Sequence, residues 1–265
     1  MVYTYTDIKI QNYPAVYSYL KKHREELEEV YEAKHGQKKW FELRKCSYYD
    51  KFGMKKLVWT RLANKNAFSI SLKGEFTVDS SSFAVGENLE YLSSILNSKV
   101  VFFYFKLGSV IWGKDGIKWF GKYFDNIPIP KITKEEQKPF ENLVNYILLA
   151  HELYKGENNR EIITKQFEEV IDAMVNELFF ETSIKDANAS IIDLVKKQIT
   201  DISTVKEKEE KLKLIEAIYK KISETNSEIR NRIIKQNIAV DEIKLINQNL
   251  NLQAGDYSED IDSEF

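Results

Sequence analysis

The chain has 265 residues, 43% of them hydrophobic and 13% aromatic, which allows a sizeable core and excludes a disordered chain. No apolar run approaches the about 20 residues that span a bilayer, and the single cysteine, Cys46, excludes an internal disulfide and a cysteine-based zinc site. The net charge of −2 is uneven: residues 1–130 carry 20 Lys and Arg against 14 Asp and Glu, and the remainder carries 19 against 27, which indicates a polyanionic partner for the first part.

The first part, residues 1–130, is predicted to begin with a helix and continue into strands. Pro14 opens a helical pattern over residues 15–35, which Gly36 ends. Alternating segments rich in β-branched and aromatic residues then predict three strands, at residues 56–62, 67–72 and 76–85. Lys73-Gly74 predicts a hairpin turn between the second and third of these strands.

The end of the first part combines a helix with irregular segments. Residues 87–96 have helical spacing, and the apolar run at 100–105 fits a helix or a buried strand equally well. Residues 107–121 are rich in glycine and predict a long exposed loop. An extended edge segment at 126–130 follows, because its alternating prolines cannot donate ladder hydrogen bonds.

The second part, residues 131–252, is predicted to be helical. Thr133 and Glu136 form a capping-box pattern at the start of a helical hairpin. Apolar residues from Leu212 to Ile233 then follow a heptad pattern, with the polar Asn226 inside it. This seam fits a coiled-coil spacer, a helix that binds a partner, or the core of a helical bundle. An acidic, flexible tail is expected at residues 253–265.

The basic excess is greatest at residues 36–65, in which nine Lys and Arg stand against Glu42 and Asp50, with aromatic residues interleaved. Cations supply phosphate contacts, so this stretch is a candidate nucleic-acid surface. A solvated lysine face over an aromatic core explains the same pattern equally well.

Motifs for chemistry are missing from the sequence. It has neither the signature of an adenine-N6 methyltransferase nor a phosphate-binding glycine loop. Asp201 with Glu209-Glu210-Lys211 resembles a nuclease metal site, but a solvated helix face is the better interpretation. The three histidines lack metal-ligand spacing. We therefore expect no catalytic residue, metal or cofactor in this chain.

An ordered set of short motifs carries a resemblance to a known family. The set consists of Tyr13-Pro14, Trp40-Phe41-Glu42-Leu43-Arg44, Leu57-Val58-Trp59, Gly86-Glu87-Asn88-Leu89-Glu90-Tyr91-Leu92, Leu96-Asn97-Ser98-Lys99, Ile127-Pro128-Ile129-Pro130 and Val175-Asn176-Glu177-Leu178. Over about residues 10–195, the chain resembles the TaqI-like C-terminal specificity domain of Type IIG restriction–modification enzymes.

The resemblance implies a module that holds double-stranded DNA for an adenine-N6 methyltransferase domain, often with a nuclease farther upstream. Methyltransferase and nuclease domains, of the same or an associated polypeptide, are the implied partners. S-adenosylmethionine and Mg²⁺ are then cofactors of those domains only. The family's structural positions correspond to Trp40, Arg44, Trp59, Asn97 and Pro128, whereas its base-reading residues vary with the target and do not carry over.

We therefore predict a cytoplasmic α+β protein without membrane contact, with a DNA target-recognition domain at residues 1–130 and a helical region at 131–252. The predicted base contacts are Asn64, Lys65, Asn66, Ser80, Ser81, Ser82, Lys114 and Lys118, because amide, hydroxyl and cationic groups read base edges. The predicted phosphate contacts are Lys38, Lys39, Lys55, Lys56 and Arg61. Two alternatives are a half-sized specificity subunit of a Type I restriction system and a protein-interaction module without a DNA role.

Overall fold

The computed structural model describes residues 2–44, 48–72, 74–77, 80–109, 111–112, 116–119, 122–156 and 159–255. The chain combines helices with small antiparallel sheets, which confirms the predicted α+β class. It forms two compact units, Met1–Gly53 and Met54–Phe265. The boundary predicted near residue 130 lies inside the second unit, and the functional division at that point stays a prediction.

The first unit contains three short helices, α1 (Pro14–Lys21), α2 (Arg24–Glu28) and α3 (Tyr31–Lys34), and two 3₁₀ turns, Ile10–Asn12 and Tyr49–Gly53. The single helix predicted over residues 15–35 is therefore wrong. None of the three helices buries a residue, so no continuous apolar face stabilises one long helix. Gly36 does end this segment, with a φ of +69° that favours glycine.

The strands of the second unit form two three-stranded antiparallel sheets. The strands are β1 (Lys56–Thr60), β2 (Leu62–Ala63), β3 (Ser69–Ser71), β4 (Ser81–Ala84), β5 (Ile111–Trp112) and β6 (Gly116–Lys118). The first sheet has the order β3-β1-β4 and the second has the order β2-β6-β5. The predicted hairpin between the second and third strands is wrong, because β3 and β4 both pair with β1. The apolar β1, with Leu57 and Trp59 buried, occupies the centre of its sheet.

The predicted long exposed loop at residues 107–121 is also wrong for its described part. Helix α5 (Lys99–Gly108) begins it, and β5 and β6 pair with each other within it. Ile117 and Trp119 are only 1% exposed. Their alternation with Lys118 was the strand signal that the glycines obscured. Residues 126–130 form no strand with the described residues, although Ile127 is buried.

The remaining helices of the second unit enclose its main core. They are α4 (Leu89–Leu96), α6 (Lys122–Asp125), α7 (Lys134–Leu153), α8 (Arg160–Phe179), α9 (Glu181–Asp186), α10 (Ile192–Gln198), α11 (Lys208–Ser223), α12 (Glu228–Ala239) and α13 (Asp241–Gly255). The capping box at Thr133 is confirmed, because Thr133 Oγ1 accepts from the N–H of Glu136 and the Glu136 carboxylate accepts from the N–H of Thr133. The predicted pairing of α7 with α8 is confirmed as well.

The predicted heptad helix is interrupted in the middle of its seam. Helix α11 ends at Ser223 and α12 begins at Glu228, so Asn226 lies in the turn between them. Ile222 and Ile229 are buried in the main core of the second unit. A continuous coiled coil over this segment is therefore wrong, and the bundle interpretation fits the structure. Helix α13 extends to Gly255, into the predicted tail, whose residues 256–265 lie outside the described part.

Candidate nucleic-acid interface

The two sheets of the second unit meet at Arg61, between β1 and β2. The N–H of Arg61 donates to the carbonyl of Ser80 at 3.0 Å, and the N–H of Trp119 donates to the carbonyl of Arg61 at 2.9 Å. Lys118 lies opposite Leu62 in the β2–β6 pair. We call Arg61, Ser80 and Lys118 the sheet junction. It brings together predicted contact residues from three separate segments of the chain.

A cluster of packed aromatic side chains supports the backbone of the sheet junction. The indole N–H of Trp59 donates to the carbonyl of Trp119 at 2.9 Å, in the buried interior. Phe68 packs against both tryptophans, with ring centroids 5.6 Å from Trp59 and 5.3 Å from Trp119. Phe124 stacks on Trp59 at 5.0 Å. Close-packed rings with a bonded indole resist deformation, so the backbone at Arg61 is held by a rigid base. Trp59 thus has a structural role in the second unit.

Two predicted base contacts extend beyond the sheet junction. Asn64 and Lys65 follow β2 directly and are exposed. Asn64 forms no hydrogen bond within the part of the chain that the structure describes. Ser80 is exposed as well, whereas Ser81 and Ser82 belong to β4 and are half-buried opposite Thr60 and Trp59.

Asn66 has a structural role that its sequence position did not reveal. Its amide donates to the carbonyls of Leu96 and Ser98, each at 3.1 Å. In return, Asn97 accepts from the N–H of Phe68 at 3.0 Å and donates to the carbonyl of Phe68 at 2.8 Å. We call Asn66 and Asn97 the asparagine clasp. It joins the segment before β3 to the α4–α5 junction, so the Asn66 amide protons are not available to a base.

The predicted phosphate contacts beside β1 differ in their exposure. Lys56 is 0% exposed, and its ammonium lies 3.5 Å from the carbonyl of Met54. It cannot reach a phosphate, and that assignment is wrong. Lys55 is partly exposed but forms an ion pair with Glu90. The sequence placed these two neighbours in one basic patch, yet Lys55 pairs with an acid 35 residues away and Lys56 is buried.

Three cations of the basic stretch that lie in the first unit, Lys38, Lys39 and Arg44, are also occupied. The Lys38 ammonium donates to the carbonyl of Glu42 at 2.8 Å, and the Lys39 ammonium lies 3.4 Å from the Glu42 carboxylate. Arg44 forms an ion pair with Glu32. The basic stretch is therefore divided between the two units. Acidic residues from other parts of the sequence pair with some of its cations, so its net charge overstates the positive potential that DNA would meet.

Glu42 organises the turn that carries these lysines. Its buried carboxylate accepts from the N–H of Asp7 at 3.0 Å and from the N–H of Lys39 at 3.1 Å. Burial raises the pKa of Glu42, but the two backbone hydrogen bonds and the Lys39 ammonium outweigh it, so the pKa lies below its ordinary value. The N–H of Leu43 donates to the carbonyl of Thr4 beside this carboxylate.

Of the two lysines predicted in the loop at 107–121, Lys118 is half-buried in β6 and Lys114 lies outside the described residues. The nuclease-like Asp201 caps the 3₁₀ turn Ile202–Thr204, accepting from the N–H of Ser203 at 2.9 Å. Glu209 and Glu210 lie in the exposed first turn of α11. No cluster of three or more potential metal ligands occurs among the residues that the structure describes.

Sequence reasoning missed a cleft in the second unit. Its lining includes Lys65, Lys99, His151, Glu168 and Asp172. Asp172 accepts from the N–H of Lys99 at 2.9 Å and lies 3.6 Å from its ammonium, so a residue of α8 caps the start of α5. Glu168 and Asp172 are four residues apart on α8, which places them on one face. That spacing was the only available signal, and it is common on ordinary helices.

Comparison with known proteins adds no assignment to this geometry. Neither the family models nor the curated proteins contain a match to the chain. Within the described residues, no helix has the length and apolar character to cross a membrane.

Proposed function

We propose that the chain is a target-recognition module that binds double-stranded DNA sequence-specifically and directs adenine-N6 methylation and cleavage by attached or associated catalytic domains. The sheet junction carries this proposal. The backbone segments that carry Arg61, Ser80 and Lys118 meet there, with Asn64 and Lys65 exposed directly beyond it. Polar and cationic side chains on a rigid support are what base reading requires.

The roles follow from the chemistry of each side chain. Asn64 offers both a donor and an acceptor, which suits the adenine edge, and Lys65 suits guanine. Arg61 and Lys118 supply phosphate or base contacts from the sheet junction, and the Ser80 hydroxyl adds a contact to either. Lys56 and Asn66 have no part in this interface, because the first is buried and the second belongs to the asparagine clasp.

The test is fluorescence anisotropy with labelled duplex DNA. Binding to random duplex is expected to weaken steeply, by orders of magnitude, between low and physiological salt, because phosphate contacts release counterions. Arg61→Ala is expected to weaken binding, whereas the control Lys206→Ala, which changes an exposed lysine before α11, is not. Selection from a random duplex pool is then expected to return a defined target. Salt-independent binding, or none at low salt, contradicts the proposal and favours a protein-interaction module.

The alternative is a half-sized Type I subunit, in which the heptad-patterned helices would pair two recognition domains. In the structure this seam consists of two helices, which are separated between Ser223 and Glu228. Light scattering tests this alternative directly, because it requires a stable homodimer.

A further inference from the structure

The cleft between the α4–α5 junction and helices α7 and α8 has a volume of about 620 Å³. Small-molecule sites have volumes of roughly 300–1,000 Å³. Its lining is mixed, with an apolar part that includes Phe68, Val144 and Leu148 beside polar and charged side chains. The cleft therefore has the size of a binding site and combines an apolar part with polar groups.

The polar groups of the cleft fall into two sets. Ser94 and Asn97 are bonded to backbone groups of the fold, and Lys99 is paired with Asp172. Lys65, His151 and Glu168 also line the cleft, and none of their side chains forms a hydrogen bond in the described part of the chain. These three side chains are available to a ligand.

The environment favours uncharged forms of two of these side chains. Burial raises the pKa of Glu168, and the nearby Asp172 raises it further, whereas Lys65 lowers it. Burial also lowers the pKa of His151, together with the charge of Arg160. An imidazole and a carboxyl group can both form hydrogen bonds with a polar ligand.

We propose that this cleft binds a nucleobase, presented either by a free nucleoside or by an unstacked base of single-stranded DNA. A base has two apolar faces for the apolar part of the lining and one edge of donors and acceptors for His151, Glu168 and Lys65. An acyl chain would leave the three polar side chains without partners. The cleft shares Lys65 with the proposed duplex-reading surface, but His151 and Glu168 belong to the cleft alone.

The first experiment is calorimetric titration of the full chain with the four common deoxynucleosides. We expect at least one to bind, with affinity at least tenfold weaker in His151→Ala and in Glu168→Ala. Glu169→Ala is the matched control, because Glu169 is the next residue on α8 and lines a different cavity. It is expected to bind as the unchanged chain does. Neither His151 nor Glu168 forms a hydrogen bond within the described part of the chain, so the circular dichroism of both variants is expected to be unchanged.

The second experiment replaces the nucleosides with short single-stranded oligonucleotides and with the matching duplex. Binding of the single strand alone, weakened by the same two variants, supports the site and assigns its base to DNA. Binding of free nucleosides, weakened by both variants, supports the site and assigns a soluble ligand. The proposal is overturned if neither probe binds, or if both variants bind like the unchanged chain. Arg61→Ala, which tests duplex binding, is expected to leave nucleoside binding intact, so the two proposals fail separately.

Discussion

Replacing Asn66 with alanine distinguishes a structural asparagine from a base-reading one two positions away. The change removes the two hydrogen bonds to the carbonyls of Leu96 and Ser98. Each such bond contributes about 0.5–1.5 kcal/mol, so the free energy of unfolding is expected to fall by about 1–3 kcal/mol. Asn64→Ala is the matched control. It removes an exposed side chain without a described hydrogen bond and is expected to change stability by less than about 0.5 kcal/mol.

Urea unfolding followed by tryptophan fluorescence measures this difference, because Trp59 and Trp119 lie in the core beside the asparagine clasp. At a denaturant dependence of about 2 kcal/mol/M, the midpoint of Asn66→Ala is expected to fall by about 0.5–1.5 M. In DNA binding the two variants are expected to differ in the opposite way. Asn64→Ala is expected to cost about 1–3 kcal/mol on the target duplex only, and folded Asn66→Ala to bind like the unchanged chain. Equal loss of stability in both variants, or a target-specific loss in Asn66→Ala, would refute the reasoning.

Further predictions concern the other contacts described above. Glu42→Gln is expected to destabilise the first unit by about 2 kcal/mol, measured by thermal unfolding. The pKa of Glu42 is lowered in the folded protein, so its ionised carboxylate contributes fully to the free energy of unfolding at pH values above its ordinary pKa. This contribution is lost as the pH falls through the folded pKa. The Gln variant is expected to lack this part of the acid dependence of stability. Arg61→Ala and Lys118→Ala are each expected to weaken duplex binding on all sequences and to make the salt slope shallower by roughly one if they hold phosphates; a loss confined to one sequence indicates base reading. Asp201→Ala removes the cap of the 3₁₀ turn and is expected to lower the free energy of unfolding in urea by about 1 kcal/mol. If the unchanged chain nicked DNA with magnesium and this variant did not, a purely structural role of Asp201 would be contradicted.

The sequence predicted structure reliably where the stabilising interaction joins residues that are close together in the chain. The capping box at Thr133 and the turn at Gly36 depend on residues within a few positions, and both are present in the structure. The apolar alternation of β1 predicted its strand correctly. The heptad seam failed because periodicity reports which face is apolar and not whether the helix is continuous. Ser227 caps a new helix inside the seam, accepting from the N–H of Arg230 at 3.4 Å.

The candidate interface was less predictable because its determinants are distant in sequence. Asn64 and Asn66 look alike in the sequence, and only the position of Leu96, 30 residues away, separates them. Likewise, the acids that occupy Arg44 and Lys55 are 12 and 35 residues away from them. Composition therefore identified a basic stretch correctly but not the side chains that remain available within it.

The hydrogen bonds that hold the sheet junction make it a site for protein engineering. Arg61 is anchored by its own N–H and C=O, and Ser80 by its C=O, groups that nearly every amino acid supplies. Exchanging the side chains at positions 61 and 80 therefore leaves these bonds in place, provided that position 61 is not proline. A library randomised at the exposed positions 64, 65 and 80 is expected to stay folded. The chemistry of this surface can thus be varied separately from stability.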